Sequence, residues 1–379
     1  MYLEKLLLQN FRNYSSLNIK LNPHVNIIYG NNAQGKTNLL ESIYVLGLTK
    51  SHLLQLDNHL ITTGKEFYKI KGIVKKNKIK TTYEVNCNLN KKILKIDGQE
   101  IKKISDYINN SLNIIIFYPE DLEIIKGSPN IRRNFLNLEL SQLSNNYLKI
   151  LNEFNKLLKI RNEYLKKMSK NQSYDKTYFN IITNYFVDKS LIIYKMRKKF
   201  VEKLNENCGK IFFEITKLSD FHIEYITNFI NENSENQKKE MLEKLDKNIE
   251  KEIKFGSTLY GPHRDELEFF LGENNLKIYG SQGQKRMAVL STKLAEIDIF
   301  KKFKNTNPIL LLDDVFSELD DIKKNNIIKY LADDIQVIIT TTDLKKINKK
   351  KFNSVNIFKI KNGEVIKTEE VEKDERKSL

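Results

Sequence analysis

An eight-residue segment near the N-terminus combines two glycines, a lysine and a threonine at the spacing of a phosphate-binding loop. Its residues are Gly30, Asn31, Asn32, Ala33, Gln34, Gly35, Lys36 and Thr37. The two glycines permit the backbone angles that turn successive N–H groups inward to form an anion-binding nest. Lys36 adds a positive charge for the β- and γ-phosphates, and the Thr37 hydroxyl can bind Mg²⁺. The segment therefore predicts ATP and Mg²⁺ as ligands, with Lys36 in both a binding and a catalytic role.

The residues on either side of this loop have the patterns that the motif requires. Residues 25–29 form an apolar run that ends at Gly30, as a buried strand does. Residues 38–46 have helical spacing, and Gly47 is the expected cap of that helix. A chance match in a glycine-containing turn would not need both neighbours. We therefore interpret residues 30–37 as a P-loop between a strand and a helix.

A second apolar run, residues 309–312, is followed directly by Asp313 and Asp314. A strand ending beside the P-loop would deliver both carboxylates to the nucleotide, so Asp313 is expected to hold Mg²⁺. Asp314 is expected to be catalytic, because it would orient or deprotonate the attacking water. Many related ATPases have the longer glutamate here, so slow hydrolysis or a closer water is expected. The alternative is a pair of solvated acids after a core strand.

Two further segments fall into the same order. The first is a candidate signature, Ser281, Gln282, Gly283 and Gln284. The second follows Asp314 and resembles a D-loop, with Ser317 and Asp320 as its candidate residues. The alternative for Ser281 is a plain helix cap. P-loop, signature, acidic pair (Walker B) and D-loop follow one another as in ABC-type ATPases. In that class the signature of one subunit contacts the nucleotide of the other, which implies a homodimer that closes on two ATP molecules.

The rest of the chain changes pattern twice. Residues 67–101 alternate with period two and contain the hairpin signal Asp97-Gly98, which predicts an antiparallel β subdomain. From about 145 to 250 the spacing becomes helical, with two amphipathic segments that could pair as an antiparallel hairpin. Residues 335–340 are another buried strand. Strand–helix alternation at both ends predicts an α/β fold.

Composition sets limits on where the protein acts. The chain has 379 residues, 40% of them apolar, and a formal net charge of +16. That charge suits nucleic acid or an anionic membrane, although much of the lysine excess looks like compositional bias. No uncharged apolar stretch is long enough to span a membrane and no leader is recognised, so no membrane partner is expected. Cys87 and Cys208 are far apart, which favours reduced thiols in a cytosolic protein.

Five separated segments resemble the RecF family, bacterial recombination mediators related to SMC proteins. They are residues 11–14, 117–122, 126–136, 261–265 and 281–284. The resemblance covers roughly residues 1–362. It implies binding to single-strand/duplex DNA junctions, ATP-dependent dimerisation, weak DNA-stimulated ATPase activity, and cooperation with RecR and RecO in loading RecA. It also implies a cytoplasmic, nucleoid-associated location.

The resemblance further implies an ABC-type P-loop ATPase lobe like the head of SMC proteins, with an antiparallel β subdomain and a helical insertion lobe. The expected divisions are a composite head of residues 1–144 and 251–365, a helical insertion of 145–250 and a disordered tail of 366–379.

Four arginine and asparagine residues of these motifs receive roles from the resemblance. Arg12 and Asn13 are expected to bind nucleotide. Arg132 and Arg133 are candidates for contact with DNA or a γ-phosphate, and an exposed helix face or a structural salt bridge is the alternative. The Gly-Pro turn at 261–262 favours a structural role for His263 and Arg264.

The chain departs from related patterns at two places. Asn137 stands where the family often has aspartate, and residues 340–343 occupy the position where transporter ATPases carry a switch histidine. A transporter-type mechanism is therefore not carried over. An SMC protein would need far longer arms than residues 145–250 provide. A structural DNA clamp, in which ATP sets only dimerisation, stays open as an alternative.

Overall fold

The computed structural model describes residues 1–54, 56–231, 236–330, 335–344, 347–348 and 352–372. It divides into two compact units. The first consists of residues 1–121, 214–217 and 290 onward, and the second of residues 122–213 and 218–289.

The strands of the first unit are β1 (Tyr2–Phe11), β2 (Tyr14–Lys20), β3 (Val25–Tyr29), β4 (Phe67–Lys76), β5 (Ile79–Asn88), β6 (Lys92–Ile96), β7 (Gln99–Glu100), β8 (Ile114–Phe117), β12 (Ile309–Leu312), β13 (Gln336–Thr341), β14 (Ser354–Lys361) and β15 (Glu364–Glu372). Those of the second unit are β9 (Phe221–Ile226), β10 (Glu266–Leu271) and β11 (Asn274–Asn275). The helices are α1 (Lys36–Leu48), α2 (Ile104–Asn110), α3 (Glu123–Lys126), α4 (Pro129–Leu143), α5 (Asn145–Ser169), α6 (Lys176–Thr216), α7 (Gln237–Lys247), α8 (Ile249–Phe255), α9 (Leu276–Tyr279), α10 (Gln282–Lys304) and α11 (Asp321–Tyr330). Short 3₁₀ turns lie at Asp57–Leu60, Pro119–Leu122, Pro262–Arg264 and Val315–Glu318.

One sheet of the first unit is mainly parallel, in the order β15-β14-β3-β13-β12-β8. The five strands from β14 to β8 run parallel to one another, and the edge strand β15 is antiparallel to β14. Every residue of β8 and β12 is buried, as expected for apolar strands of a parallel sheet that is covered on both faces. The predicted strands at 25–29, 309–312 and 335–340 are therefore confirmed.

The second sheet of this unit is antiparallel, in the order β2-β1-β4-β5-β6-β7. The β subdomain predicted from the period-two pattern of residues 67–101 is confirmed. Strands β6 and β7 pair directly across Asp97 and Gly98, which have φ angles of 47° and 81°. These left-handed angles are those of the tight hairpin turn that the Asp-Gly pair predicts.

The helix predicted at residues 38–46 is present as α1, which begins two residues earlier, at Lys36, and is not capped by Gly47. The helix continues to Leu48, and Thr49 ends it with a φ of 64°. A Cβ on Gly47 would lie 2.5 Å from Ile114 Cδ1. Gly47 is therefore required for the close approach of α1 to β8, and not for a turn.

The second unit contains the predicted antiparallel helix pair. The rings of Phe154 in α5 and Phe186 in α6 stack 5.2 Å apart, and Glu153 pairs with Lys189. Residues earlier in α5 thus meet residues later in α6, which confirms the hairpin. The helical prediction for 145–250 is wrong at residues 221–226, which form β9 and pair with β10. Residues 232–235 lie outside the described part of the chain.

The predicted division at 145 and 250 differs from the observed one. Residues 122–144 and 251–289 belong to the second unit together with the predicted insertion. The physical reason is packing, because α4 lies against α5 and β10, and α8 lies against α5. The candidate signature at 281–284 therefore lies in the second unit, and the P-loop in the first.

The predicted disorder of residues 366–379 is wrong for 366–372, which belong to β15. This strand pairs along its length with β14, across a turn at Asn362 and Gly363 with φ angles of 51° and 76°. It lies at the sheet edge, where charged side chains discourage pairing with another chain. The many charged residues that suggested disorder are therefore those of an edge strand. Residues 373–379 lie outside the described residues. No helix in the described part of the chain is long and apolar enough to cross a membrane.

Candidate functional site

The P-loop and the acidic pair meet at the carboxyl-terminal edge of the parallel sheet. The loop leaves the end of β3, the two aspartates leave the end of β12, and β13 lies between these strands. A cavity of ≈160 Å³ opens there. It is lined by Asn32, Ala33, Gly35, Lys36, Thr37, Asn38, Asp313 and Asp314. The structure thus brings together the residues of the two motifs that were predicted to share a nucleotide.

Lys36 is held inside the loop by the loop's own carbonyl groups. Its Nζ donates to the carbonyl oxygens of Gly30 and Asn31, both at 2.8 Å. Burial lowers the pKa of Lys36, and the nearby Asp314 and Asp313 raise it. Gly35 has a φ of 109°, which side-chain-bearing residues rarely adopt. The result is an ammonium group beside an anion-sized cavity.

Thr37 and Asp313 form an all-oxygen site that suits Mg²⁺. Thr37 Oγ1 donates to Asp313 Oδ2 at 2.8 Å. Burial raises the pKa of Asp313, while hydrogen bonds from Thr340 and Thr37 lower it. Within the described ranges no three His, Cys, Asp or Glu residues cluster as metal ligands. The hydroxyl and the carboxylate are the kind of oxygen ligands that Mg²⁺ takes, since it binds one or two protein oxygens and fills its shell with water and phosphate.

Asp314 is anchored through its backbone. It has a left-handed φ of 48°, and its N–H donates to Thr340 Oγ1 at 2.9 Å. The D-loop candidate Ser317 donates its hydroxyl to the Asp314 carbonyl at 2.8 Å. Ser317 therefore stabilises the turn that presents the catalytic candidate.

Asp320, the other D-loop candidate, begins a helix. Its carboxylate accepts the N–H of Lys323 at 2.8 Å and pairs with the Lys323 ammonium, which lowers the pKa of Asp320. Asp320 therefore caps α11, and its predicted D-loop role stays a prediction.

The predicted nucleotide-binding pair Arg12 and Asn13 lies against the P-loop. Arg12 Nε pairs with Glu41 Oε2 at 2.8 Å, and Glu41 is on α1. Asn13 Nδ2 donates to the Gln34 carbonyl at 3.1 Å and Asn13 Oδ1 accepts from Asn38 at 2.8 Å. Arg12 is therefore tied to α1, and Asn13 braces the loop and the first turn of α1. Their predicted contact with nucleotide stays a prediction.

Sequence reasoning missed a second brace on the P-loop. The backbone N–H groups of Asn362 and Gly363 donate to Gln34 Oε1 and to the Gln34 carbonyl, at 2.9 and 3.0 Å. Tyr14 donates its hydroxyl to the Gly35 carbonyl at 2.9 Å. The Asn-Gly dipeptide is a hairpin signal that could have revealed the turn. Nothing local in the sequence shows that the turn packs on residue 34.

The signature candidates begin α10 and are exposed. Ser281 Oγ accepts the Gln284 N–H at 3.2 Å, and Gln284 Oε1 accepts the Ser281 N–H at 2.8 Å. This reciprocal pair is a capping box. Ser281, Gln282 and Gly283 are exposed, and Lys126 Nζ donates to Gln282 Oε1 at 2.6 Å. The helix-cap alternative is therefore present in the structure, and it leaves the predicted contact with a second chain untested.

Arg132 is buried, and this corrects its assignment as a DNA contact. Only 3% of its surface is exposed. Its Nε and Nη2 donate to the two carboxylate oxygens of Glu266 at 2.5 and 2.8 Å, and its Nη1 donates to the Gly127 carbonyl at 2.9 Å. These contacts use N–H groups on two edges of the planar guanidinium, so Arg132 holds α4 to β10. Arg133 is half-buried and donates to the Asp265 carbonyl at 2.9 Å, and burial lowers its pKa.

Asn137 belongs to a buried polar network. Arg197 pairs with Asp265 at 2.8 Å and donates to Asn137 Oδ1 at 2.9 Å, and Tyr147 also donates to Asn137. Asn137, which stands where the family often has aspartate, is therefore part of a hydrogen-bond network inside the second unit.

The structural role expected of His263 fits its surroundings. One ring nitrogen lies 2.9 Å from the Thr258 carbonyl, and burial lowers the pKa of His263 to about 4. His263 is therefore neutral near pH 7.

The chain is similar to known proteins in both sequence and fold. A family model described as "RecF/RecN/SMC N terminal domain" matches residues 2–366. A solved SMC head bound to the C-terminal winged-helix domain of ScpA has a TM-score of 0.56 at 16% identity, covering 99% of this chain and 98% of that one. That likeness concerns the fold. The predicted fold class is confirmed: the fold and the site define an ABC-type ATPase of the SMC head class.

Relatives with higher sequence identity show which family within this class the chain belongs to. The chain is 39% identical over 371 residues to the "DNA replication and repair protein RecF" of Ligilactobacillus salivarius, covering 96% of this chain and 97% of that protein. It is 38% identical to the protein of that name in Listeria monocytogenes, covering 97% and 100%. The solved structure "recombination mediator protein RecF-ATP in RecFOR pathway" has a TM-score of 0.87 at 31% identity, covering 98% and 97%. The chain belongs to the RecF family.

Proposed function

We propose that this protein is an ATP-dependent DNA-binding protein of recombinational repair and replication-fork maintenance. The observation that carries the proposal is the cavity in which Lys36, Thr37 and Asp313 converge. Two similarities support it. One solved relative pairs RecF with ATP and the RecFOR pathway, and curated relatives are named for DNA replication and repair.

Each residue of the cavity has a task in ATP binding and hydrolysis. Lys36 binds the β- and γ-phosphates, which would take the place of its two carbonyl contacts. Thr37 and Asp313 would hold Mg²⁺, which would neutralise charge on the phosphates. Asp314, held by its backbone at the cavity wall, orients the attacking water and accepts its proton. The shorter carboxylate at this position fits slow hydrolysis. Stimulation of the ATPase by DNA is proposed from the family resemblance.

One chain carries one P-loop and one exposed signature. Two chains together would form two composite sites, each with Lys36 from one chain and Ser281 from the other. ATP would thus stabilise a homodimer, and hydrolysis would release it. By family resemblance the dimer binds single-strand/duplex DNA junctions and acts with RecR and RecO to load RecA, in the cytoplasm at the nucleoid.

The formal charge of +16 suits a partner rich in phosphate, because lysine and arginine release counterions from DNA. Because Arg132 is buried and paired with Glu266, the DNA contacts must come from other cations. Arg133 remains a candidate only through the part of its side chain that is exposed.

The experiment is sedimentation of the protein with ATP and Mg²⁺ against ADP and Mg²⁺, repeated with a gapped DNA duplex. ATP should produce a dimer that binds the junction, and ADP a monomer that binds it more weakly. The same sedimentation pattern in both nucleotides would contradict the proposed function.

Asp314→Asn separates the proposal from a clamp in which turnover is incidental. This variant should bind ATP and dimerise but hydrolyse ATP more slowly, so its dimer should persist in a single-turnover experiment. Dissociation at the parent rate would favour the clamp.

A further inference from the structure

Thr340 lies between the two halves of the nucleotide site. It is near the carboxyl end of β13, whose neighbours are β3, which leads into the P-loop, and β12, which leads to Asp313. In the sheet register Thr340 is beside Ile28 of β3, and the preceding Ile339 is beside Leu312 of β12. Thr340 is completely buried. A hydroxyl at this depth must have a hydrogen-bond partner.

The Thr340 hydroxyl makes two hydrogen bonds, both to the acidic pair. It donates to Asp313 Oδ1 at 2.5 Å and accepts the Asp314 N–H at 2.9 Å. A hydroxyl has one proton to donate, so Asp313 receives all the donor capacity that Thr340 has. The other carboxylate oxygen, Oδ2, accepts from Thr37. Each Asp313 oxygen is therefore held by a different threonine, one on the P-loop and one on β13.

We infer that Thr340 is a positioning residue of the nucleotide site, whose hydroxyl sets the orientation of the Asp313 carboxylate for Mg²⁺ and holds Asp314 in its left-handed conformation. The inference rests on the proposed function, which assigns Mg²⁺ to Asp313 and Thr37. Thr340 itself does not line the cavity and is completely buried, so it acts on the site through Asp313 and Asp314. A side chain that orients a metal ligand typically changes metal affinity 10- to 100-fold when it is lost.

The test is the Mg²⁺ dependence of ATP binding in Thr340→Val. Valine keeps the shape of threonine and removes the hydroxyl. Calorimetric titration with ATP at a series of Mg²⁺ concentrations should show a half-maximal Mg²⁺ concentration raised by about 10- to 100-fold. ATP affinity in EDTA should match the parent. Thr340→Ser keeps the hydroxyl and should stay close to the parent in both conditions.

Thr341→Val is the matched control. Thr341 is the next residue of β13, is also buried, and exchanges hydrogen bonds through its hydroxyl with the backbone of Asp343. Its substitution removes a buried hydroxyl from the same strand without touching Asp313 or Asp314. It should cost a similar loss of thermal stability without ligand and leave the Mg²⁺ dependence unchanged.

The outcomes separate the inference from the proposed function. A parent-like Mg²⁺ dependence in Thr340→Val, or an equal shift in Thr340→Val and Thr341→Val, would overturn the inference while the proposed function stands. If the ATP affinity of the parent protein does not depend on Mg²⁺, both the inference and the proposed function are overturned. If Thr340→Val does not fold, Thr340→Ala and Thr340→Ser provide the comparison, and equal Mg²⁺ dependence in these two would overturn the inference.

Discussion

Two regions of the molecule hold their charged motif residues in different ways. At the sheet edge of the first unit, Lys36 and Asp313 contact carbonyl and hydroxyl groups around a cavity. In the second unit, Arg132 and Arg197 pair directly with Glu266 and Asp265 inside the protein. The first arrangement leaves charge available to a ligand. The second uses that charge to join helices and strands of the same chain.

The largest effect on the first region is expected from Lys36→Met. ATP binding should fall below detection, because the phosphate charge would have no cation in the loop. Stability should change little, because Lys36 contacts only two carbonyl groups of its own loop and burial disfavours its charged form. Calorimetry with ATP and thermal unfolding without it measure the two effects. Lys50→Met, at an exposed lysine just after α1, is the control, and equal ATP affinity in the two variants would contradict the assignment.

Ser281 lies in the second unit but is exposed. It therefore tests whether a motif residue of this unit can act in binding, unlike the internally paired arginines. Ser281→Arg should abolish ATP-dependent dimerisation and leave ATP binding by the monomer nearly normal, since a bulky cation would block closure against a second chain.

The control is Ser144→Arg, because Ser144 caps α5 by accepting the Tyr147 N–H. Loss of a cap costs about 1 kcal/mol and should not affect dimerisation. Sedimentation with ATP decides, and a Ser281→Arg protein that still forms dimers would make Ser281 a helix cap alone.

The internal pairs of the second unit should respond in stability and not in ATP affinity. Asp265→Ala leaves Arg197 buried without its carboxylate, and breaking a buried pair in this way costs about 3–5 kcal/mol. Arg264→Ala, at the exposed neighbouring residue, should change stability by less than about 0.5 kcal/mol. Denaturant unfolding measures both. If Asp265→Ala were as stable as Arg264→Ala, the pair would not hold the second unit together.

The smallest effect concerns His263 in the second unit. Its folded pKa of about 4 lies below the ordinary value of 6.5, chiefly because of burial. The unfolded chain therefore binds the proton first, so stability contributed by neutral His263 is lost as the pH falls from 6.5 towards 4. One proton changes the free energy of unfolding by at most about 1.4 kcal/mol per pH unit. His263→Phe should reduce this slope, and an unchanged slope would assign it to other groups such as His52.

Patterns within a few residues of one another predicted the parts of the site that local geometry decides. The P-loop, its strand and its helix are consecutive in the chain, so the sequence determines them together. The same holds for the apolar strand that ends at Asp313 and for the period-two sheet. Gly47 shows the limit, because its environment comes from β8, and a glycine near a helix end looks like a cap whichever partner it meets.

The sequence by itself determined which residues could bind a nucleotide and that they belong to an α/β protein. Only the tertiary structure decided that Arg132 is internal, because its partner Glu266 is 134 residues away. It also decided that the turn at Asn362 braces Gln34, across 328 residues, and that Thr340 holds Asp313. The physical reason is that burial and hydrogen-bond partners depend on contacts between distant segments. A motif specifies the chemistry of a side chain, but folding specifies whether that side chain faces a ligand or another part of the same chain.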